Sequence, residues 1–226
     1  MYVNFFKRLL DFTLSLTALI VLSPILLILT VLGAVKMKGN PFFTQKRPGK
    51  NEKSFKLIKF RTMTCETDEN GNLLPDEKRL TRYGMILRST SLDELPELVN
   101  ILKGDMSIVG PRPQLVRDMV FMTPEQRVRH SVRPGLTGLA QVSGRNNITW
   151  EEKLNYDLAY INGGMALRTD VKIIFMTVGK VFRREDTVRE GTVSDMDFGD
   201  YLLKKGEITK EIYAERQKEA KDLLGV

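Results

Sequence analysis

Residues 12–35 read FTLSLTALIVLSPILLILTVLGAV, 24 residues without a charge, with Ser23-Pro24 at their centre. Asp11 closes the run on one side and Lys36 on the other. A straight helix of this length reaches roughly 36 Å at about 1.5 Å per residue, enough to cross a hydrocarbon core of about 30 Å. Pro24 works against a straight helix. It lacks a backbone donor and its ring clashes with the carbonyl of Ile20, so the helix kinks or breaks near its midpoint. The Ser23 hydroxyl is available to satisfy a freed carbonyl. Two geometries fit: a kinked span, and a re-entrant hairpin with both ends on one face. Lys7 and Arg8 precede the run, and Lys36 and Lys38 follow it. Basic flanks favour the cytoplasmic side, and only the hairpin satisfies both flanks. Each arm would then be about 12 residues, or roughly 18 Å, reaching near mid-bilayer. A cleaved signal peptide fits poorly, because the run is too long and no small-x-small pattern follows it cleanly.

The remaining residues, about 190, suffice for one compact domain and a tail. The net charge of +7 is unevenly spread. Residues 36–184 carry 26 Lys and Arg against 16 Asp and Glu, whereas residues 185–226 carry 7 against 11. A basic body beside an apolar anchor points to anionic headgroups or phosphorylated substrates. No zinc spacing or RNA-binding signature accompanies it, so nucleic acid is not an expected partner. Cys65 is the only cysteine, which excludes an internal disulfide and suits a reducing compartment. His130 is the only histidine, so a histidine-based triad or zinc site is excluded in practice. Acid–base chemistry falls to carboxylates, and anion binding to Lys and Arg.

The patterns predict an α+β fold: a re-entrant helix-break-helix, then a small domain of helices with a short β-hairpin, and interfacial amphipathic helices. Boundaries are expected at residues 1–38, 39–185 and 186–226. Phe42 to Arg47 and Ser54 to Met63 read as strands, with Pro48-Gly49-Lys50-Asn51 between them. Alternation along the second strand puts Lys59 and Arg61 on one face, about 7 Å apart; a solvated sheet face would look the same. Residues 65–80 read as a surface loop with a turn at Asn70-Gly71. Thr149-x-x-Glu152 is a capping box opening a helix from Trp150 to Ile161, and Thr123-Pro124 opens another. Val171, Ile174, Phe175, Val178, Val181 and Phe182 recur at helical spacing, which fits a helix lying on a membrane or one facing a core. The acidic tail is expected to carry a helix from Lys210 to Leu224 and to be an appendage.

The densest information lies in residues 88–113, RSTSLDELPELVNILKGDMSIVGPRP. Asp93 and Glu94 are adjacent acids just before Pro96, which fits best in a first helical turn. A helix beginning near Asp93 would keep a carboxylate there ionised through its dipole. The plainer reading is helix capping, since Ser91-x-x-Glu94 matches a capping box and Asp93 could itself be an N-cap. The surroundings favour more. Gly110-Pro111-Arg112-Pro113 fixes an arginine between rigid prolines, and Arg133-Pro134-Gly135 and Ser143-Gly144-Arg145 set basic residues beside tight turns. Arginine is a natural bidentate phosphate clamp. Paired acids near arginines at a membrane suggest phosphoryl chemistry with Mg²⁺, which suits carboxylate and phosphate oxygens.

These blocks in this order resemble the bacterial monotopic phosphoglycosyl transferases, or bacterial sugar transferases. The resemblance runs from about Phe5 to Phe182. It rests on Ser23-Pro24, Lys59 to Met63, Thr90 to Pro96, Leu102 to Ser107, Val109 to Pro113, Arg133 to Gly138 and Gln141 to Arg145. The glycine-rich Asn162-Gly163-Gly164-Met165 departs from it. The resemblance implies a sugar-1-phosphate moved from a UDP-sugar to a polyprenol (undecaprenyl) phosphate, giving polyprenol-diphosphate sugar and UMP. It implies Asp93 as nucleophile and Mg²⁺ ligand, with Glu94 as base or metal partner. Lys59, Arg61, Arg88, Arg112 and Arg145 are the candidates for binding phosphates, with Asp157, Pro111 and Pro113 as support. It further implies a hairpin in a bacterial cytoplasmic membrane, with lipids as neighbours, the catalytic domain on the cytoplasmic face and a minimal catalytic unit. It fixes neither the sugar nor the oligomeric state. Two other readings stand beside it, a basic scaffold that gathers anionic lipids and an aspartyl-phosphate lipid phosphatase. Cysteines placed at Asn4 and Gly39 should react with an impermeant thiol reagent from the same side of the membrane; opposite-side labelling would eliminate the hairpin.

Overall fold

The computed structural model describes residues 2–144, 148–183 and 196–225. It is an α+β arrangement, mostly helical, with two small sheets. Helices α1 (Lys7–Val21) and α2 (Ser23–Lys36) meet at Leu22 with a bend of 65°. The cause is the proline. Ile20 can take no bond from residue 24, and the Ser23 hydroxyl donates to its carbonyl instead at 2.8 Å. Among the described residues no single helix is long and apolar enough to cross a membrane, while this bent pair has the length and composition to do so.

Strands β1 (Phe42–Pro48) and β2 (Ser54–Phe60) form an antiparallel hairpin in which Phe43 faces Lys59. The second strand stops at Phe60, three residues short of the expected end. Arg61 carries the same register one step further, its amide donating to the Pro41 carbonyl at 2.7 Å. The polar segment after it holds a turn at Gly71, where φ is +81°, and the short helix α3 (Asp76–Arg79). Helix α4 (Arg82–Ser89) follows, capped by the Thr81 hydroxyl. Gly84 lies so close to Thr62 that a Cβ would sit 1.9 Å from its carbonyl oxygen, so no other residue fits there. A single tight turn over Leu92–Glu94 leads into α5 (Glu97–Lys103).

Strand β3 (Ser107–Val109) pairs in parallel with β4 (Gly135–Thr137). Between them lie α6 (Val116–Met119) and α7 (Pro124–Arg127), the latter opened by the Thr123–Gln126 capping box. After β4 come α8 (Leu139–Ser143), α9 (Trp150–Ala159) and α10 (Leu167–Arg183). The Thr149–Glu152 capping box starts α9 as expected. The tail forms α11 (Phe198–Lys205) and α12 (Lys210–Leu224).

The apolar pair is built into this body. Ala18, Leu19 and Leu22 pack on Leu57, Leu98, Ile101 and Met106, and Leu26 and Leu29 on Phe60, Leu87 and Tyr83. A side chain such as Ile101, fully buried, contributes about 2 kcal/mol by leaving water. Polar contacts fix the base of α1. Arg8 donates to the carbonyls of Ile101 and Leu102 at the end of α5, and Asp11 accepts the amide of Ile108 at 2.9 Å. Lys7 pairs with Asp170 of α10, and the hydroxyls of Tyr2 and Tyr160 donate to the same carboxylate at 2.6 Å each. On α10, Asp170 and Ile173 face inward while Val171, Val178 and the 72 % exposed Phe175 face out. Lys7→Met would leave Asp170 buried without its cation. It should lower unfolding stability by about 3 kcal/mol in chemical denaturation, and the Lys7→Met/Asp170→Asn double variant should recover part of that loss.

Candidate active site

Three segments meet around Glu94: the end of β2, the turn before α5, and the loop after β3. Ser91 opens the turn in a left-handed conformation, φ +56° and ψ +18°, and its side chain makes no cap. The capping-box reading of Ser91 and Glu94 therefore fails, because a residue in this conformation turns its hydroxyl away from the amide it would need to accept. Glu94 is used otherwise. Its Oε1 accepts from Lys59 Nζ at 2.7 Å and from Arg112. Lys59 also pairs with Glu97 at 3.1 Å. Asp93 makes no hydrogen bond or ion pair among the described residues.

The charges respond to this arrangement. Burial works against the Glu94 charge, but Arg112 and then Lys59 hold its carboxyl far below the usual carboxylate range. Lys59 is likewise held above an ordinary lysine, because Glu94 and Glu97 outweigh its burial. Asp93 goes the other way. Burial, and then the neighbouring Glu94 charge, push it up to about 6. Burial pushes Glu97 up to about 7, opposed by Lys59 and reinforced by Glu94. Two adjacent acids are thus held apart in strength, Glu94 locked as an anion and Asp93 half-buried and unpaired among the described residues.

The Arg112 loop is fixed by backbone. Gly110 donates to Thr137, Gly135 to the Pro111 carbonyl at 2.9 Å, and Ser107 to Pro134 at 2.8 Å. A Cβ on Gly135 would lie 2.1 Å from the Gly110 nitrogen, so this close approach requires glycine. The two motifs Gly110-Pro111-Arg112-Pro113 and Arg133-Pro134-Gly135 are hence one structure, the parallel pair and its flanks. Pro111, Arg112 and Pro113 line a small cavity with Pro48, Gly49, Arg129 and His130. Asp157, buried on α9, accepts from Arg129 at 2.7 and 3.0 Å, and Arg129 donates onward to the Arg112 carbonyl at 2.7 Å.

Of the residues expected at the site, Lys59, Glu94 and Arg112 meet directly, and Asp93 lies within reach of their charges. Arg88 bonds the Thr62 hydroxyl at 3.1 Å and adds its charge near Asp93. Arg61 forms no ion pair with the two acids among the described residues, and Arg145 lies outside the described residues. Arg133 is spent on the Gly104 carbonyl at the end of α5. Ser23 and Pro24 lie at the bend. Two residues escaped the sequence reading. Glu97 carried a signal, since it lies one helical turn after Asp93 and Glu94 and so shares their face. Arg129 carried none, because a buried arginine looks in sequence like any other.

Among the described residues no three His, Cys, Asp or Glu side chains are grouped to hold a metal. Mg²⁺ commonly takes one or two carboxylates and completes its shell with substrate phosphates and water. The donor set fits that habit: Asp93 has no hydrogen-bond or ion-pair partner among the described residues, and both cations on Glu94 share Oε1, leaving Oε2.

The model of the family described as bacterial sugar transferase matches residues 2–184. The sugar transferase EpsL of Bacillus subtilis is 48% identical over 179 residues, covering 79% of this chain and 88% of that protein. The UDP-glucose:undecaprenyl-phosphate glucose-1-phosphate transferase of Klebsiella pneumoniae is 42% identical, covering 78% of this chain but 40% of that enzyme. The UDP-galactose-lipid carrier transferase of Erwinia amylovora is 35% identical, covering 80% and 41%. The chain thus spans about two fifths of each of these two larger enzymes.

Burial, and then Arg129, push His130 down to about 4, below its ordinary value near 6.5. On acidification the unfolded chain takes this proton first, so the contribution present above pH 6.5 is lost between about 6.5 and 4. The fall in melting temperature from pH 7 to pH 5 should be smaller in His130→Gln than in the parent chain, and equal slopes would exclude His130 as the cause.

Proposed function

Because the chain belongs to the bacterial sugar transferase family, we propose that this phosphoglycosyl transferase moves a sugar-1-phosphate from a UDP-sugar to polyprenol phosphate. The names of the Klebsiella and Erwinia relatives support the donor and carrier classes. The observation that carries the mechanism is Asp93, unpaired among the described residues, beside a Glu94 whose charge is already committed to Lys59 and Arg112.

In the first step an Asp93 carboxylate oxygen attacks the sugar-bearing phosphorus. The bond from that phosphorus to the bridging oxygen breaks, and UMP leaves with its electron pair. In the second step a polyprenol phosphate oxygen attacks the same phosphorus and displaces the Asp93 carboxylate. Covalent catalysis divides one transfer between two anions into two displacements, and the site never holds the diphosphate and the lipid phosphate together. Arg112 and Lys59 sit where phosphate oxygens would gather charge, with Arg88 close by. Glu94, held so far below the usual carboxylate range, is a weak proton acceptor, which favours a role in fixing the two cations over a role as base. Mg²⁺ held by Asp93 or Glu94 and the diphosphate would offset negative charge during attack. Asp157 supports the Arg112 carbonyl through Arg129.

The bent apolar pair, with basic flanks and an exposed outer face, supports a re-entrant hairpin in the cytoplasmic membrane. The exposed Phe175 edge of α10 supports contact with lipid. A charge-gathering scaffold has no use for an unpaired acid between cations, and family membership makes the chain an enzyme. Asp93→Asn should abolish UMP release and lipid product across a panel of UDP-sugars with Mg²⁺ and polyprenol phosphate. UMP should form from the matching UDP-sugar before any lipid is added; a strictly ternary rate law would overturn the covalent route. Attack needs the Asp93 anion, so UMP release should decline as pH drops through about 6.

A further inference from the structure

The family match ends at residue 184, yet α11 and α12 beyond it grip the loop that carries Arg112. Asp118, buried on α6, receives one backbone amide from the start of its own helix and one from a distant segment. Its Oδ2 accepts from Leu115 at 3.1 Å, and its Oδ1 accepts from Phe198, the first residue of α11, at 2.9 Å. Leu115 is three residues beyond Arg112. Around this carboxylate the tail packs closely. Ala220 and Leu224 of α12 cover Val116, Met119 and Val120, and Arg117 pairs with Asp197 at 2.8 Å. Gly199 abuts Phe121 so tightly that a Cβ would lie 2.5 Å from the ring. Lys46 of β1 donates to the Leu224 carbonyl at 2.6 Å, and its neighbour Arg47 donates to the Pro113 carbonyl at 3.3 Å. The Arg112 loop is therefore held by the tail through Asp118 and β1, and by Arg129 at the Arg112 carbonyl.

We infer that the C-terminal helix pair is a clamp on this loop, and that Asp118 is a positioning residue which sets Arg112 for the diphosphate of the donor. The inference rests on the phosphoryl-transfer reading above. Its physical basis is preorganisation. An arginine 39% exposed at the mouth of a site has many rotamers, and fixing its backbone narrows the volume its guanidinium samples. Small misplacements of such a group can cost up to about a hundredfold in rate.

Two full-length variants test it from opposite sides. Asp118→Asn is isosteric and turns one accepting oxygen into a donor that faces a backbone N–H. Ala220→Asp puts a charge into the seam between α12 and α6 and leaves every residue of the body intact. In both, KM for the UDP-sugar should rise about tenfold while KM for polyprenol phosphate stays within twofold. Hydrogen exchange of the Gln114 and Leu115 amides should accelerate in both. A drop in kcat with both KM values unchanged, as a smaller folded fraction would give, overturns the positioning role. Unchanged exchange at Gln114 and Leu115 in both variants overturns the clamp. Should the parent chain release no UMP from any UDP-sugar, the functional reading fails by itself, and the exchange measurement still decides the clamp.

Discussion

Two cations converge on one oxygen of Glu94, and most of the site follows from that. Lys59 comes from the end of β2, Arg112 from the loop after β3, and Glu94 from the turn before α5. None of these three segments fixes the others by backbone pairing alone. The shared carboxylate closes them into one unit, at a depth where each charge would be costly without its partners. The same closure defines Asp93. Burial, and then the charge of Glu94, leave Asp93 less acidic than an ordinary aspartate, and the two cations are committed to its neighbour. Satisfying Glu94 in this way leaves the carboxylate next to it uncommitted among the described residues.

Support for this unit is layered. Behind Arg112 stands Arg129, and behind Arg129 stands the buried Asp157. Beneath the loop the glycine pair Gly110 and Gly135 lets two strands approach more closely than side chains permit. On the far side the tail helices meet Asp118. Each layer restricts the one above it, so the Arg112 guanidinium inherits a position set by groups well away from it.

Much of this was legible in sequence where the cause is local. The Ser23-Pro24 break, the capping box at Thr149 and the helix from Lys210 to Leu224 are set by residues within a turn or two, and they lie where the patterns put them. The Asp-Glu pair beside a proline-held arginine was legible too. What escaped depends on distant partners. Alternation cannot say where a strand ends, and β2 stops at Phe60, short of the expected Met63. The left-handed Ser91 is dictated by packing of the chain around it and defeats a cap that its sequence promises. The parallel pairing of β3 with β4 joins segments 28 residues apart. The tail reads as acidic and solvated because its buried residues, Phe198, Leu202 and Ala220, are few among many charges.

The contact between Lys7 and Asp170 has a temporal consequence. The two residues are 163 positions apart. At a synthesis rate of about 5–20 residues per second, Asp170 emerges roughly 8–30 seconds after Lys7. Until then Asp11, one helical turn away, is a counter-charge within reach of Lys7, and the pairing with Asp170 fastens α1 to the body only after α10 has been made.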